Sequence, residues 1–370
     1  MAPSPDAVFV GVATWDTVAQ LPCLPPADGR VVAEDMVWAG GGPAATAAVA
    51  FARLGLRAAV VAAVGDDRQG TLIADGLADE GVDVGGVRTV AGQPSGSCVV
   101  LIDRPRASRA ICVRPGPELR VEPGSEAARA IVSAPLLLVD HVGWPAVAPL
   151  LAALPAAARR PVVCYDAGNL LPGPRPAGVE VYVPTLDVLR EVYDGRQPAD
   201  LLRAALRSDP ATTDPAGDGP ATTDPAGDGP AAADPGGGPG AADPVGGGPG
   251  IADPAGRAPR VRVVATDGPH GAYAADAGGC WRVPGLAGIE VRSTLGAGDV
   301  FHGALVAALA RTFDLPAALA YANAAAALSC RGLDGRSGIP GHAETLAAAT
   351  AHPAAPLPWA SAPPAPGSRP

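Results

Sequence analysis

The sequence predicts an α/β fold, a three-layer α/β/α domain built around a mostly parallel sheet and carrying a small β lid. Short apolar runs alternate with alanine-rich helical stretches along most of the chain. The runs are continuous rather than alternating, which is typical of strands covered on both faces. Two further segments break this rhythm and resemble antiparallel pairs. The strands expected in the main sheet are 7–13, 58–65, 136–143, 161–168, 180–184 and 260–268.

The helix candidates lie between these strands, and the lid strands lie outside the pattern. Segments 34–40 and 95–116 look like antiparallel pairs, and in the second of them strands 97–102 and 108–113 flank a polar Asp-Arg-Pro-Arg turn. Strands inserted in this way often cover the main domain, so the lid is expected from about 14–40 and 95–116. The expected helices are 44–55, 68–80, 145–158 and 199–207.

Two segments lack the composition of a folded core. Residues 208–259 contain "ATTDPAGDGP" twice in succession and then decaying copies of it, rich in Pro, Gly and Asp. With no apolar face to bury, this segment is predicted to be a disordered insertion. The proline-rich tail 352–370 is predicted to be disordered as well. The remainder, 1–207 with 260–351, is expected to form a single domain.

Composition and charge exclude several classes of function. The 370 residues carry a formal net charge of −10, so nucleic acid or an anionic membrane surface is not expected as a partner. All 27 basic residues are arginine, and the chain has no lysine. A Walker P-loop, a protein-kinase active site and a pyridoxal-phosphate Schiff base each require a lysine. None of them can exist here.

The cysteines and the N-terminal sequence predict a cytoplasmic protein. The six cysteines are scattered without a C-x-x-C pair, which favours reduced thiols over disulfides or a zinc site. The start "MAPSPDAVFVGVA" lacks the basic and apolar regions of a signal peptide. Charged residues and a glycine interrupt the apolar run 44–63, so it is not expected to span a membrane.

The stretch "STLGAGDVFHGALVAALA", residues 293–310, contains the strongest candidate site. A loop of small residues leads into a helix N-terminus, where unpaired N–H groups and a partial positive charge attract anions. Asp299 at the same point could accept a proton from a nucleophile while the loop holds developing negative charge. The pattern therefore suits phosphoryl transfer to a hydroxyl. The simpler alternative is that Asp299 caps the helix and the glycines form a tight turn.

Two motifs together carry a family resemblance. "STLGAGDVFHGAL" resembles the C-terminal signature of the ribokinase-like (PfkB) carbohydrate kinases, Asp-Thr-x-Gly-Ala-Gly-Asp. "GGGPAATAAVAFARLGLRAAVVAAVGDDRQG" (40–70) is similar to the N-terminal signature of that family. The resemblance covers nearly the whole chain outside the repeat and the tail. It implies a sugar kinase that uses ATP and Mg²⁺, and the lid strands look closest to ketohexokinase-like bacterial enzymes.

The resemblance assigns the residues that act on the transferred phosphoryl group. Asp299 matches the catalytic base that deprotonates the acceptor hydroxyl. Gly296, Ala297 and Gly298 match the anion hole, whose N–H groups stabilise the phosphoryl group in transfer. His302 follows in the first helical turn, where packing or a substrate contact are both open.

On the acceptor side, the resemblance makes Asp16 a partner of sugar hydroxyls, and Gly41 and Gly42 the pair over which the sugar lies. Taken alone, Asp16 could be a turn residue. The glycines also satisfy a weak dinucleotide-binding pattern, which lacks its acidic partner. Arg109 or Arg114 in the lid could bind an anionic substrate group or simply face solvent.

Two further stretches of the sequence are candidates for binding the nucleotide. "VVATDGPHGAYA" (263–274) resembles the nucleotide-binding strand and turn, so Thr266, Gly268 and Gly271 are expected beside ATP. Without the other motifs, a plain glycine-containing hairpin turn explains this stretch equally well. "YANAAAALSCRGLDGRSGIP" (321–340) resembles the segment flanking the adenine, with Asn323 as a contact.

Four positions depart from the family pattern. Ser293 replaces the first Asp of the C-terminal signature, and Pro43 replaces an Asn that contacts sugar hydroxyls. The usual Asn-x-x-Glu linked to Mg²⁺ reads Thr185-x-x-Val188, so no metal ligand is assigned. Ketohexokinase-like members also lack that pair.

The predicted function is ATP-dependent phosphorylation of a sugar hydroxyl, with a ketose or ketose derivative (fructose-like, or a sulfo- or phospho-sugar) as the acceptor. A nucleoside kinase of the adenosine type with the same fold is one alternative. A catalytically silent sugar- or nucleotide-binding regulator is another. A homodimer formed through the β lid is the expected assembly.

Overall fold

The large sheet of the protein has ten strands, seen in a computed structural model that describes residues 4–106, 108–155, 157–168, 173–208 and 261–358. Their order is β14-β13-β12-β11-β10-β9-β8-β1-β4-β5. The bounds are β1 Ala7–Val10, β4 Ala58–Gly65, β5 Asp83–Val90, β8 Leu136–Val139, β9 Val162–Ala167, β10 Val181–Pro184, β11 Arg262–Thr266, β12 Ala272–Asp276, β13 Gly279–Val283 and β14 Ala355–Pro356.

The direction of these strands defines the edge of the large sheet where a ligand would bind, called the functional edge below. Every neighbouring pair from β11 across to β5 is parallel, whereas β12, β13 and β14 add antiparallel strands at the other side. The carboxyl ends of β1, β8, β9, β10 and β11 therefore open on the same edge. In open α/β sheets, ligands bind in the crevice outside this edge.

Helices cover both faces of the large sheet and give it three layers. One core contains Phe9, Phe51 and Phe301 and joins the sheet to α1, α7 and α8. The other contains Tyr182 and Leu202 and joins the opposite face to α4, α5 and α6. The helices are α1 Pro43–Arg53, α2 Arg68–Asp79, α3 Glu126–Ser133, α4 Trp144–Ala152, α5 Leu186–Val192, α6 Pro198–Arg207, α7 Ala297–Ala310, α8 Leu315–Ser329 and α9 His342–Ala351.

A second sheet of four strands, called the small sheet below, has the order β3-β2-β6-β7. Strands β2 and β6 are parallel, and the two outer pairs are antiparallel. Val18, Val100 and Ile102 pack from one face onto Leu333 of the main domain. This face is therefore turned toward the functional edge. The strands are β2 Thr14–Leu21, β3 Asp35–Gly41, β6 Ser97–Asp103 and β7 Ser108–Arg114.

The structure differs from the sequence expectations at the chain end. The tail was expected to be disordered from 352, yet Ala355–Pro356 pairs with β13 and the N–H of Leu357 donates to the carbonyl of Cys280 at 2.8 Å. Backbone pairing at a sheet edge orders a proline-containing segment that has no core of its own. The repeat prediction for 208–259 falls outside the described residues from position 209 onward. Among the described helices, none has the length and apolarity needed to cross a bilayer.

Candidate active site

A cleft lies between the small sheet, the start of α1 and the start of α7. It brings together five of the residues singled out in the sequence: Asp16, Gly41, Gly42, Gly296 and Asp299. These positions come from three separate parts of the chain, and the topology places them around one space. The other lining residues are Val18, Ala39, Gly40, Thr46, Leu295, Asp334 and Gly335.

The first turn of α7 forms an open backbone donor site. Gly296 is the N-cap in the left-handed conformation (φ 73°), and no side chain caps the helix. A Cβ on Gly296 would lie 2.7 Å from Cα of Gly335, so this position requires glycine. A Cβ on Gly298 would meet nothing within 4 Å. The N–H of Ala297 donates to the carbonyl of Thr294 at 3.3 Å, which leaves the N–H groups of Gly298 and Asp299 as the free donors of this first turn. They lie beside open space, where an anion can approach a helix N-terminus.

Asp299 lies partly buried in the cleft, one residue after these donors. Burial, together with the nearby carboxylates of Asp166 and Asp140, raises its pKa to about 7, against the lowering effect of His302 and Arg109. A carboxylate with a pKa near neutrality can both accept and release a proton at physiological pH. Asp299 therefore has the chemistry of a general base.

Asp16 points into the cleft from β2. Its Oδ1 accepts a hydrogen bond from the N–H of Cys98 at 3.0 Å, and burial raises the pKa of the carboxyl. A Cβ on Gly41 would lie 2.0 Å from Asp16 Oδ2, so the carboxylate occupies the space of the missing side chain. Gly42 has φ 90°, and a Cβ there would lie 2.4 Å from the carbonyl of Val12. Both glycines are needed where the sequence has them.

Gly41→Ala is expected to displace the Asp16 carboxylate, which is held by Cys98 and cannot retreat freely. If Asp16 binds acceptor hydroxyls, the KM for the acceptor should rise by about tenfold or more, while the KM for ATP stays the same. Gly76→Ala in α2 is the matched control, because a Cβ there makes only an ordinary contact at 3.7 Å with Trp15. An unchanged acceptor KM for Gly41→Ala, measured by steady-state kinetics, would contradict the prediction.

Arg336 belongs to the site although sequence reasoning passed over it. Its guanidinium is buried and donates to the carbonyl of Gly41 at 2.9 Å, and it fills the space beside Gly40. Burial lowers its pKa to about 10. No carboxylate of the described residues lies within ion-pair distance of it. The arginine therefore fixes the glycine strand end by hydrogen bonds to neutral groups.

Two further acids at the carboxyl edge were also missed. Asp140 follows β8 and accepts hydrogen bonds from the N–H groups of Val12 at 2.7 Å and Gly143 at 2.9 Å. Asp166 ends β9, and its Oδ2 lies 3.1 Å from Nδ1 of His302. An Asp that directly follows an apolar strand was the available signal for both, since parallel strands bring their ends together.

Arg109 and Ser293 shape the loop before α7. Arg109 Nη1 donates to Oγ1 of Thr294 at 3.1 Å, so the small sheet contacts this loop. Ser293 is buried, and its Oγ accepts from the N–H of Leu295 at 3.0 Å. The serine hydroxyl thus organises the turn at the position where the family pattern has an acid. A contact between Arg109 and a substrate stays a prediction.

The residues expected beside ATP lie at the neighbouring part of the same edge. Thr266 ends β11, and Gly268 (φ 50°) and Gly271 (φ 98°) form the turn that follows. A Cβ on Gly271 would lie 2.1 Å from the carbonyl of Val283, whereas Gly268 is open. Asn323 is buried in α8, and its Nδ2 donates to the carbonyl of Pro284 at 3.0 Å. Nucleotide contacts at these positions stay predictions.

The cleft does not present a ligand set typical of Mg²⁺. In the described ranges, the side chains grouped closely enough to hold a cation are Asp166, Asp299 and His302. Mg²⁺ prefers oxygen ligands and commonly keeps waters and substrate phosphates, and an imidazole beside Asp166 does not fit that preference. Thr185 Oγ1 caps α5 by accepting from the N–H of Val188 at 3.2 Å. We therefore assign Mg²⁺ no protein ligand.

Comparison with solved structures shows which class of fold this is. The ribokinase of Arabidopsis thaliana complexed with ribose and ATP has a TM-score of 0.66 and 19% identity, covering 94% of this chain and 99% of that chain. A nucleoside kinase of Burkholderia thailandensis in complex with inosine has a TM-score of 0.63 and 16% identity, over 94% and 99% of the two chains. The fold is ribokinase-like, as the sequence predicted.

The sequence matches the pfkB family of carbohydrate kinases over residues 6–148 and 256–340. The chain belongs to this family, which confirms the predicted family and the enzyme class that goes with it. An ATP-dependent ribose-1-phosphate kinase of Halopiger xanaduensis (strain DSM 18323 / JCM 14033 / SH-6) is 37% identical over 93 residues. That match spans 25% of this chain and 31% of the length of the relative.

Proposed function

We propose that the protein is an ATP-dependent kinase that transfers the γ-phosphoryl group of ATP to a hydroxyl of a sugar. The observation that carries this proposal is the juxtaposition of the Asp299 carboxylate with the free N–H groups of the first turn of α7, in one cleft with Asp16. A base beside an anion-binding helix end is what phosphoryl transfer to a hydroxyl requires.

Each part of the cleft has a role in this reaction. Asp16, on the small sheet, hydrogen-bonds acceptor hydroxyls, and Gly41 and Gly42 let the ring lie against the backbone. Asp299 removes the proton from the attacking hydroxyl. The N–H of Gly298 stabilises charge on the phosphoryl group in transfer, and the N–H of Ala297 joins it by leaving the carbonyl of Thr294. Mg²⁺ bound with ATP would supply positive charge at the phosphates, and no side chain of the described residues is assigned to hold it.

The nucleotide would lie along the neighbouring edge, beside Thr266, Gly268, Gly271 and Asn323. In this proposal its phosphates point toward the N-terminus of α7. The small sheet then acts as the lid, since its inner face carries Asp16 over the cleft. A cytoplasmic location, where ATP is available, is part of the proposal.

The acceptor we propose is a sugar in its five-membered ring form with a free hydroxymethyl group. A fructose-like ketose or its sulfo- or phospho-derivative meets this description, and the relatives add ribose, ribose 1-phosphate and a nucleoside. One buried acid in the cleft, Asp16, suits a ring with vicinal hydroxyls. Arg109 supplies a positive charge for an anionic substituent.

A nucleoside acceptor is the second candidate, and a specific observation favours it. Ile111 on β7 pairs with Val100, which in turn pairs with Val18, and directly paired residues share a face. Ile111 therefore lies on the face that lines the cleft, yet it is 43% exposed. Val113, two residues on, is 60% exposed on the same face. This apolar surface suits a nucleobase.

An acceptor screen tests these alternatives. ADP release is measured with ATP and Mg²⁺ over ketoses, ribose, sugar phosphates, sulfo-sugars and nucleosides. Turnover on ketoses or sugar phosphates supports the first candidate, and turnover confined to nucleosides supports the second. Binding of sugar or nucleotide without turnover on any acceptor would identify a silent regulator and overturn the kinase proposal.

The pH dependence of the reaction follows from Asp299. The base must be ionised to act, and its pKa lies at about 7, so kcat/KM should fall as the pH drops through about 7. Below that value the decrease should approach tenfold per pH unit. A profile measured from pH 5.5 to 9 that is flat down to pH 5.5 would contradict the assignment of Asp299 as the base.

A homodimer through the outer face of the small sheet is the proposed assembly. Trp38 is 63% exposed, and Met36 and Val99 are each 47% exposed. Register places Trp38 and Val99 both opposite Thr17, so the two side chains share the face turned away from the cleft. Sedimentation is expected to show a dimer that Trp38→Asp converts to a monomer. A monomeric wild-type protein at micromolar concentration would refute it.

A further inference from the structure

His302 lies in the first turns of α7, three residues after Asp299. Residues three apart share one face of a helix, so the imidazole and the carboxylate are turned toward the same side. A ring nitrogen of His302, a carboxylate oxygen of Asp299 and a carboxylate oxygen of Asp166 all lie within 4.8 Å of one another. The histidine is therefore part of the catalytic cluster.

The ion-pair partner of His302 is Asp166, the penultimate residue of β9. Nδ1 lies 3.1 Å from Oδ2 of Asp166, and the two side chains are only 8% and 6% exposed. A buried carboxylate is costly unless a positive charge or hydrogen bonds accompany it. The contact with Phe301 is an edge contact at 6.2 Å between ring centroids, so packing alone does not explain the position of the imidazole.

The charges around Asp299 come from several elements. Asp166 on β9 and Asp140 after β8 are negative, and Asp16 faces the cleft from β2. His141 accompanies Asp140. Two arginines of the described chain lie nearby. Arg109 is exposed on β7 and donates to Thr294, and the guanidinium of Arg336 donates to the carbonyl of Gly41. His302 is a buried group that can carry a positive charge within 4.8 Å of carboxylate oxygens of both Asp166 and Asp299.

We propose that His302 is a positioning residue that, paired with Asp166, holds a buried positive charge beside Asp299 and keeps that carboxylate ionised for catalysis at neutral pH. This inference rests on the proposed kinase function. The electrostatics of the pair agree with it. Burial lowers the pKa of His302, but the charges of Asp166 and Asp299 outweigh burial and raise it overall. In return, His302 lowers the pKa of Asp299.

The first test is the pH profile of kcat/KM for His302→Gln. Removing the positive charge should move the acid limb to higher pH by about one pH unit or more. The rate well above that limb should stay near the wild-type rate. His352→Gln, at the exposed end of α9, is the control and should leave the profile unchanged. A His302→Gln profile that is lower at every pH but keeps the wild-type limb would overturn the proposal.

The second test needs no substitution of His302. The imidazole is titrated by NMR in the wild-type protein and in Asp299→Asn. The wild-type His302 pKa is expected above 6.5, and it should fall in Asp299→Asn because an attractive charge is lost. A His302 pKa at or below 6.5, or one that Asp299→Asn does not lower, would overturn the proposal.

Together, the pH profile and the NMR titration distinguish failure of this inference from failure of the proposed kinase function. If the wild-type protein releases no ADP with any acceptor, the proposed function fails, and with it the catalytic purpose of the pair. The NMR titration then still decides whether His302 and Asp299 are coupled. If the enzyme turns over and the limb does not move, the proposed function stands and this inference alone falls.

Discussion

Asp299→Asn is expected to reduce kcat by about a thousandfold, because general base catalysis contributes 10²–10⁴ in rate. The amide cannot accept the proton of the acceptor hydroxyl, yet it keeps the size and polarity of the side chain. ATP and the acceptor should therefore bind with nearly unchanged affinity, as measured by calorimetry. A kcat at the wild-type level would remove Asp299 from the mechanism.

Stability measurements make this test stricter. Burial raises the pKa of Asp299 to about 7, so at pH 8 the folded protein holds an ionised carboxylate in a place that disfavours charge. The neutral amide should leave Tm the same or higher at that pH. Asp75→Asn, an exposed carboxylate of α2, is the matched control and should change neither rate nor Tm. A large fall in Tm for Asp299→Asn would show that the lost activity reflects misfolding.

Gly298→Ala is expected to abolish phosphoryl transfer without destabilising the fold. Nothing lies within 4 Å of the added Cβ, and Gly298 does not have a positive φ, so the free protein accommodates alanine. Alanine also has the higher helix propensity, by about 0.8–1.0 kcal/mol. However, the Cβ occupies the space above the helix N-terminus where the phosphoryl group would lie. We expect kcat/KM to fall by about a hundredfold or more, as on loss of an oxyanion-hole donor.

Gly76→Ala in the middle of α2 serves as the comparison, since it gives the same helix gain away from the cleft. Both variants should therefore show an equal or higher Tm in thermal unfolding, and only Gly298→Ala should lose activity. Wild-type activity in Gly298→Ala would show that the phosphoryl group does not approach this turn. The anion site would then have to be sought elsewhere along the edge.

The fold could be predicted from the sequence because its signals are local. Continuous apolar runs such as Leu136–Val139 are long enough to be strands and too short to be helices. Two strand-like runs on either side of a polar turn indicated the pair β6 and β7. The short strand β14 could not be predicted, because Ala355–Pro356 has no strand pattern; it pairs with β13, and the flanking Ala354 and Leu357 pack against the cores.

The site was predictable only where a motif was contiguous. The loop before α7 has its small residues and its acid side by side, so its chemistry could be inferred from the sequence. Arg336, Asp140 and Asp166 instead come near the cleft through tertiary packing. Asp140 and Asp166 carry only the weak signal of an acid after an apolar strand, and Arg336 carries none. The close approach of Asp166 to His302 joins positions 136 residues apart and depends on β9 lying under α7.

The undescribed segment 209–260 joins the described chain at two points on one side of the large sheet. The segment leaves from Ser208, whose carbonyl and N–H are held by Arg175 and Ala204, and the chain returns just before Arg262. Since β11 runs parallel to β10, Arg262 lies at the amino end of the sheet, and the cleft lies at the opposite end. Both attachment points therefore lie away from Asp16 and Asp299. A change in the number of residues between them leaves the two ends of the described chain on the side of the sheet opposite the cleft.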